Sequence, residues 1–283
     1  MEISAAVVKT LRDKTGAGMM DCKKALAESE GDMEKAIEYL RKKGAATAEK
    51  RHDRSANEGV VITSVEAGKG FILEVNCETD FVARSEDFLG FAADVMGAIT
   101  AANPATLEAL LEVEHAGATI GTKLTDIIGR IGEKIAVKRF ASFATSGQIV
   151  EYIHPGAKLG VMIELSSASS HDDVKQLGKD LAMQVAAMSP VAIDRSSVPV
   201  EVREKELEIY RQQAREQGKP ENMLDRIAEG KLNKYFQEYT LVEQSFIRDN
   251  TKSVKEHIDD VAKTAGDPIA VLRFERFQVG ESN

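Results

Sequence analysis

The sequence predicts an α+β protein built from an N-terminal three-helix domain, a duplicated core with antiparallel sheets, and an inserted antiparallel coiled-coil hairpin. Three observations carry this prediction. The first 40 residues repeat their apolar side chains with helical spacing. A hairpin-and-helix pattern then occurs twice in the chain, and the second copy is interrupted by a charged, strongly helix-forming segment.

Residues 1–40 are predicted to form three short helices. Ile3, Val7 and Leu11 are spaced to share one helical face, and Met33, Ala36, Ile37 and Leu40 follow the i, i+3, i+4, i+7 pattern of another. The arrangement resembles a ubiquitin-associated-type bundle. Residues 41–58 are charged and have no apolar period, so they are predicted to be a linker that is helical at its start.

The two core copies are recognised by constant sequence offsets. Ile72–Val75 in the second strand of the first hairpin matches Met162–Leu165, which lies 90 residues later. The closing strands Ile135–Phe140 and Ile269–Phe274 are 134 residues apart, so the second copy holds 44 additional residues. These offsets predict core repeat one over residues 59–140, and core repeat two over residues 141–198 and 243–283.

The additional residues, 199–242, are predicted to form two antiparallel helices. Gly218-Lys219-Pro220 separates two helix-forming arms of about 18 residues, which at 1.5 Å per residue project about 27 Å. Such an arm either reaches a partner or pairs two copies of the chain as a homodimer, and a tolerated insertion is the third alternative.

Composition excludes several classes of function. A net charge of −9 argues against direct binding of nucleic acid, which requires clustered basic side chains. No apolar run approaches the ~18 residues of a membrane-spanning helix, and the N-terminus lacks a signal peptide, so a cytoplasmic protein is expected.

Two distant cysteines form neither a disulfide framework nor a zinc motif. Without a nucleophile–base motif, metal-ligand spacing or phosphate loop, no enzyme activity, catalytic residue, metal or cofactor is predicted.

The junction between the second strand and the helix of repeat one is the candidate functional site. Thr79-Asp80-Phe81-Val82 stands there, whereas repeat two has Ser169-Ser170-His171-Asp172 at the same offset, which is ordinary turn and cap chemistry. Phe81 is therefore not required by the fold. Either it packs beneath its own helix, or it is presented to a partner.

Two long runs resemble bacterial elongation factor Ts. They are Thr15-Gly16-Ala17-Gly18-Met19-Met20-Asp21-Cys22-Lys23-Lys24-Ala25-Leu26 and Glu74-Val75-Asn76-Cys77-Glu78-Thr79-Asp80-Phe81-Val82, and the similarity in layout covers nearly the whole chain. The resemblance implies a guanine nucleotide exchange factor for elongation factor Tu, the GTPase that delivers aminoacyl-tRNA to the ribosome. The main alternative is a ubiquitin-associated-type adaptor or scaffold without exchange activity.

The resemblance also implies roles for particular residues. Asp80 and Phe81 would approach the magnesium and phosphate site of the GTPase, where Asp80 would either compete electrostatically near the metal or cap the loop. The secondary partner contacts that it implies are Arg12, Met19, Met20, Ile131, Gly132 and His154. Some members continue into a C-terminal helix that contacts the partner; since this sequence ends at Asn283, that contact is expected to be missing.

Overall fold

The structure, a computed structural model, describes residues 3–66 and 68–281. The described residues form a mixed α+β fold with N-terminal helices and several small antiparallel sheets. The expectation that a C-terminal helix contacting the partner is missing concerns the end of the sequence at Asn283, which lies outside the described residues. The helices are α1 Ala5–Thr15, α2 Met19–Glu28, α3 Met33–Arg51, α4 Asp80–Ala83, α5 Glu86–Ala102, α6 Leu107–Leu111, α7 Ile120–Ile131, α8 Asp172–Met188, α9 Val200–Glu216, α10 Leu224–Tyr239 and α11 Val254–Ala265. The strands are β1 Glu58–Glu66, β2 Lys69–Cys77, β3 Glu114–His115, β4 Ala118–Thr119, β5 Ile135–Ala144, β6 Gln148–Ile153, β7 Leu159–Leu165, β8 Ser245–Phe246, β9 Asp249–Ser253 and β10 Val271–Gln278.

The N-terminal helices surround a small core of their own. Ser4 caps α1, Asp32 caps α3, and Gly16 ends α1 in the left-handed conformation. Val8 and Leu11 are the buried side chains of α1, whereas Val7 is 36% exposed, so the predicted stripe is displaced by one residue at this point. The other buried members of this core are Cys22, Ala25, Leu26 and Ala36.

Helix α3 extends to Arg51, so only residues 52–57 separate it from β1. Its second half packs on α7 at a crossing of two glycines, Gly44 and Gly129. A Cβ on Gly129 would lie 2.6 Å from the Cα of Gly44, whereas a Cβ on Gly44 would lie 3.3 Å from the nearest atom of α7. The glycine pair thus lets the two backbones approach and joins the N-terminal helices to the core.

Gly129→Ala is expected to push α3 and α7 apart and to lower stability. Overpacking costs about 1–3 kcal/mol, of which up to about 1 kcal/mol is offset by the better helix propensity of alanine. Gly44→Ala, with its longer contact, is the matched control and is expected to change stability by less. Thermal unfolding of both variants checks this, and equal melting temperatures would contradict the role of the crossing.

The two main sheets share their strand order and their irregularities. Their orders are β1-β2-β5 and β6-β7-β10, with β2 and β7 central, and every pairing in them is antiparallel. Each closing strand shifts register beside a buried glutamate of the central strand, Glu74 or Glu164. The arginine at the shift is Arg139 in one sheet and Arg273 in the other, and each arginine pairs with the neighbouring glutamate.

The sheets pack face to face through equivalent contacts. The guanidinium of Arg139 lies 4.4 Å from the ring centroid of Phe277, which belongs to the second sheet. In the opposite direction, the guanidinium of Arg273 lies 4.0 Å from the ring centroid of Phe143, which belongs to the first. The apolar core between the sheets consists of Val61, Ile72, Phe143, Met162 and Phe277. Helix α5 covers the outer face of the first sheet, and α8 covers that of the second.

Candidate functional site

The junction between β2 and α5 contains a helix of a single turn, α4. Thr79 caps this turn, because its Oγ1 accepts a hydrogen bond from the N–H of Val82 at 3.4 Å. The thiol of Cys77 donates to the carbonyl oxygen of Thr79 at 3.2 Å. Burial raises the pKa of this thiol to about 12, so Cys77 remains a neutral donor at neutral pH. Thr79 is therefore held through its carbonyl oxygen by Cys77 and through its hydroxyl by Val82.

Phe81 is the most exposed large hydrophobic side chain described, with 83% of its surface accessible. The next two residues hold the turn to the protein: Val82 packs against the core beneath α5, and Ala83 is buried in that core. An exposed phenylalanine forgoes about 1.5–3 kcal/mol of burial. Of the two alternatives, packing beneath its own helix is excluded, and Phe81 is presented to solvent.

Asp80 lies beside Phe81 in the first turn of α4. Its carboxylate pairs with the guanidinium of Arg84 at 3.0 Å, and the side chains are 41% and 78% exposed respectively. An ion pair this open to water contributes little to stability. The capping role that was one alternative for Asp80 belongs to Thr79 instead, and the carboxylate of Asp80 remains at the surface.

A reciprocal set of hydrogen bonds ties this junction to the segment before β5. The carboxylate of Glu133 accepts from the backbone N–H of Thr79 at 3.1 Å and from its hydroxyl at 2.8 Å. In return, the carboxylate of Glu78 accepts from the backbone N–H of Lys134 at 2.6 Å. We call these four residues, Glu78, Thr79, Glu133 and Lys134, the junction clamp.

Helix α3 reaches the same clamp through Glu78. Arg51, the last residue of α3, lies 3.1 Å from the carboxylate of Glu78, and Arg54 lies 2.9 Å from it. Burial by itself would raise the pKa of Glu78, but the hydrogen bond from Lys134 and the two arginines lower it below its ordinary value. The N-terminal helices and the Phe81 turn are thus joined through a charged carboxylate.

The remaining predicted residues lie on separate elements. Arg12 is exposed on α1, and Met19 and Met20, which are 45% and 74% exposed, are the first two residues of α2. Ile131 and Gly132 end α7 directly before Glu133, which brings them next to the clamp. His154 is exposed in the turn after β6, with its Nδ1 2.9 Å from the hydroxyl of Tyr152.

Sequence reasoning did not identify Glu133 or Arg51. Glu133 acts on a residue 54 positions away, and Arg51 on one 27 positions away. A signal for Glu133 exists in the predicted duplication: Gly132-Glu133 and Gly266-Asp267 both follow a helix, and the two pairs are 134 residues apart. Among the described residues, no group of three or more potential ligand side chains could hold a metal ion. Nor does the described part of the chain contain a helix with the length and apolarity needed to cross a membrane.

Comparison with known proteins decides the family. The family model for elongation factor Ts matches residues 78–281, which is most of the chain. The chain is 52% identical to elongation factor Ts of Chlorobium phaeobacteroides (strain BS1) over 286 residues, with 99% of each chain covered. It is 47% identical to that of Chloroherpeton thalassium (strain ATCC 35110 / GB-78) and 48% identical to that of Prosthecochloris aestuarii (strain DSM 271 / SK 413), again over 99% of each chain.

The chain belongs to the elongation factor Ts family. It is therefore a nucleotide exchange factor that binds elongation factor Tu in translation elongation, and it is not an enzyme. As a member of the elongation factor Ts family it is a cytoplasmic translation factor. Membership also decides against the adaptor alternative.

Proposed function

We propose that the chain accelerates GDP release by inserting the turn Thr79-Asp80-Phe81-Val82 near the magnesium and phosphate site of elongation factor Tu. The observation that carries the proposal is the 83% exposure of Phe81 on a turn held by the junction clamp. An exposed aromatic side chain on a rigid support has the physical properties of a wedge: it loses little conformational freedom when it binds.

The energetics of exchange favour such a wedge. GDP is held by magnesium and by backbone N–H groups around its phosphates. A factor that binds the nucleotide-free form of the GTPase more tightly weakens the binding of GDP. By the same free energy, bound GDP weakens the binding of the factor. Burying Phe81 supplies about 1.5–3 kcal/mol, and about 1.4 kcal/mol corresponds to a tenfold change in an equilibrium constant. One side chain therefore supplies about one to two decades, and the rest of the interface supplies the remainder.

The role of Asp80 in this proposal is electrostatic. Its exposed carboxylate would accompany Phe81 toward the partner's magnesium site and compete there for the cation. Its ion pair with Arg84 must weaken or rearrange for this to happen, and the high exposure of both side chains keeps the cost small.

The same proposal assigns the secondary contacts. Arg12, Met19 and Met20 would bind a helix of the partner's nucleotide domain, since methionine adapts readily to a binding surface. Ile131 and Gly132 would contact the same domain close to the wedge, and His154 would hold a second domain. No direct contact with nucleic acid is proposed.

The domain division belongs to this proposal as well. It comprises a ubiquitin-associated-like domain over residues 1–40, a duplicated core over 59–140 and over 141–198 with 243–283, and a coiled-coil hairpin over 199–242. Of the predicted linker 41–58, residues 41–51 belong to α3, so that only residues 52–57 connect it to β1. The hairpin would either reach the partner or pair two copies of the chain. Val202 and Ile209 on α9 and Met223 in its turn are exposed apolar side chains that either contact would cover.

The proposal is tested by following the release of a fluorescent GDP analogue from elongation factor Tu in excess unlabelled GDP. We expect the chain to accelerate release at substoichiometric concentration, because one molecule serves many GTPases. Binding is measured separately by titration. Binding without acceleration would contradict the proposed mechanism, and Met20→Ala, which leaves the wedge intact, is expected to weaken binding more than it lowers the rate at saturation.

A further inference from the structure

The two core repeats offer an internal comparison of how the strand-to-helix junction is held. In repeat two, the residue equivalent to Glu133 is Asp267, whose carboxylate accepts a hydrogen bond from the hydroxyl of Ser167, two residues before Ser169, the equivalent of Thr79. Both acidic residues follow a glycine in the left-handed conformation, Gly132 or Gly266, which ends the preceding helix. An acidic residue at this place therefore belongs to the common fold.

The second half of the clamp occurs only in repeat one. The position equivalent to Glu78 is Ala168, which has no carboxylate, and the position equivalent to Lys134 is Pro268, which has no backbone N–H to donate. The reciprocal hydrogen bond between Glu78 and Lys134 therefore has no counterpart in repeat two. Since repeat two folds without it, the additional bond is not a requirement of the fold.

The reinforced junction is the one that carries Phe81. In repeat one, Thr79 donates two hydrogen bonds to Glu133, the N–H of Lys134 donates to Glu78, and two arginines pair with Glu78. Repeat two has a turn without an exposed phenylalanine, and its His171 caps a helix directly. The extra hydrogen bonds occur where a side chain must be held away from the core.

We propose that Glu133 is a positioning residue for nucleotide exchange, which fixes Thr79, the N-cap of α4, so that Phe81 enters the partner in one orientation. The inference rests on the proposed role of Phe81. Both oxygens of Glu133 accept from Thr79, and hydrogen bonds to a charged carboxylate are about twice as strong as neutral ones. Loss of this contact releases the turn without removing any group that touches the partner.

Glu133→Gln is the variant that tests the proposal. The amide keeps the size of the side chain but replaces one acceptor oxygen by a donor, which faces the N–H or the hydroxyl of Thr79. We expect the maximal rate of GDP release at saturating factor to fall about tenfold, because small misplacements of a positioned group have large effects on rate. The concentration that gives half the maximal rate is expected to change less than the rate itself.

Asp267→Asn is the matched control. It makes the same chemical change at the equivalent position of the repeat that lacks the wedge, so it is expected to leave the exchange rate within about twofold of the original. Hydrogen exchange gives a second readout: the amides of residues 79–85 lose protection in Glu133→Gln and keep it in Asp267→Asn. Unchanged protection in Glu133→Gln would overturn the inference whatever the rate.

A double-mutant cycle with Phe81→Ala separates positioning from general stability. If Glu133 acts through Phe81, Glu133→Gln has no further effect on the rate once Phe81 is removed. An equal rate loss in both backgrounds would show a structural role and overturn the inference, as would a full rate in the single variant. If Phe81→Ala itself exchanges at the original rate, the proposed wedge fails, and this outcome is distinct from the failure of Glu133.

Discussion

Phe81→Ala is expected to lower the maximal rate of GDP release from elongation factor Tu by about ten- to a hundredfold. This range is the rate equivalent of the 1.5–3 kcal/mol that burial of one phenylalanine supplies. Folding is expected to be unaffected, because 83% of the side chain is already in contact with water. Stopped-flow release of a fluorescent GDP analogue at saturating factor measures the effect.

Phe81→Leu is the graded control for this prediction. Leucine retains most of the apolar volume but not the ring, so its rate is expected to fall between those of the original chain and Phe81→Ala. Leu272→Ala removes another exposed apolar side chain, 50% accessible on β10, and is expected to retain the original rate. A loss of equal size in Leu272→Ala would mean that the assay reports surface apolarity in general and not the wedge.

Arg139→Ala is expected to produce the largest loss of stability. Glu74 is completely buried, and the Nε of Arg139 lies 2.7 Å from its carboxylate. Removal of one partner of a buried ion pair leaves an uncompensated charge, which costs about 3–5 kcal/mol. The variant also loses the stacking of the guanidinium on Phe277 between the sheets. Denaturant unfolding followed by circular dichroism measures the change in the free energy of unfolding.

The second sheet supplies the control for this change. Arg273 forms the equivalent pair with Glu164, but 44% of its side chain is exposed, against 16% for Arg139. Water can solvate Glu164 more readily when its partner is removed, so Arg273→Ala is expected to cost less. Adding Glu74→Gln to Arg139→Ala is expected to restore part of the stability. If Arg139→Ala and Arg273→Ala lowered the free energy of unfolding equally, the loss of stability would not arise from the buried charge of Glu74.

The regular elements were predictable because their signals are local. Runs rich in β-branched and aromatic residues predict strands at Phe71–Cys77 and Gln148–Ile153, and the observed strands are Lys69–Cys77 and Gln148–Ile153. A serine cap followed by two acidic residues predicts a helix that begins at about Glu86, which is where α5 begins. The breaker Gly218-Lys219-Pro220 similarly marks the turn between α9 and α10.

The full length of α3 was not predictable from apolar periodicity. Its second half contacts the core through Gly44, which presents no apolar side chain, and ends in Arg51, which pairs with Glu78. The one-residue shift from Val7 to Val8 has a related origin: in so small a bundle two adjacent valines both fit the helical period, and only tertiary packing selects one.

The location of the candidate site could be predicted from the sequence, but its geometry could not. Comparison of the two predicted repeats indicates that the fold does not require Phe81, yet a phenylalanine in a turn either packs inward or faces a partner. The exposure of Phe81 depends on Val82 and Ala83 filling the core beneath it. The clamp joins residues more than 50 positions apart, so only the closing of β5 onto β2 brings Glu133 to Thr79.

The most direct test of the wedge is a contact measurement. Phe81 is replaced by the photoreactive analogue p-benzoylphenylalanine, the chain is irradiated in complex with nucleotide-free elongation factor Tu, and the cross-linked peptide is identified by mass spectrometry. We predict a cross-link to the segments of the partner that surround the magnesium and the GDP phosphates, and we predict that excess GDP with magnesium suppresses it. A cross-link to any other surface, formed while exchange activity is retained, would contradict the account.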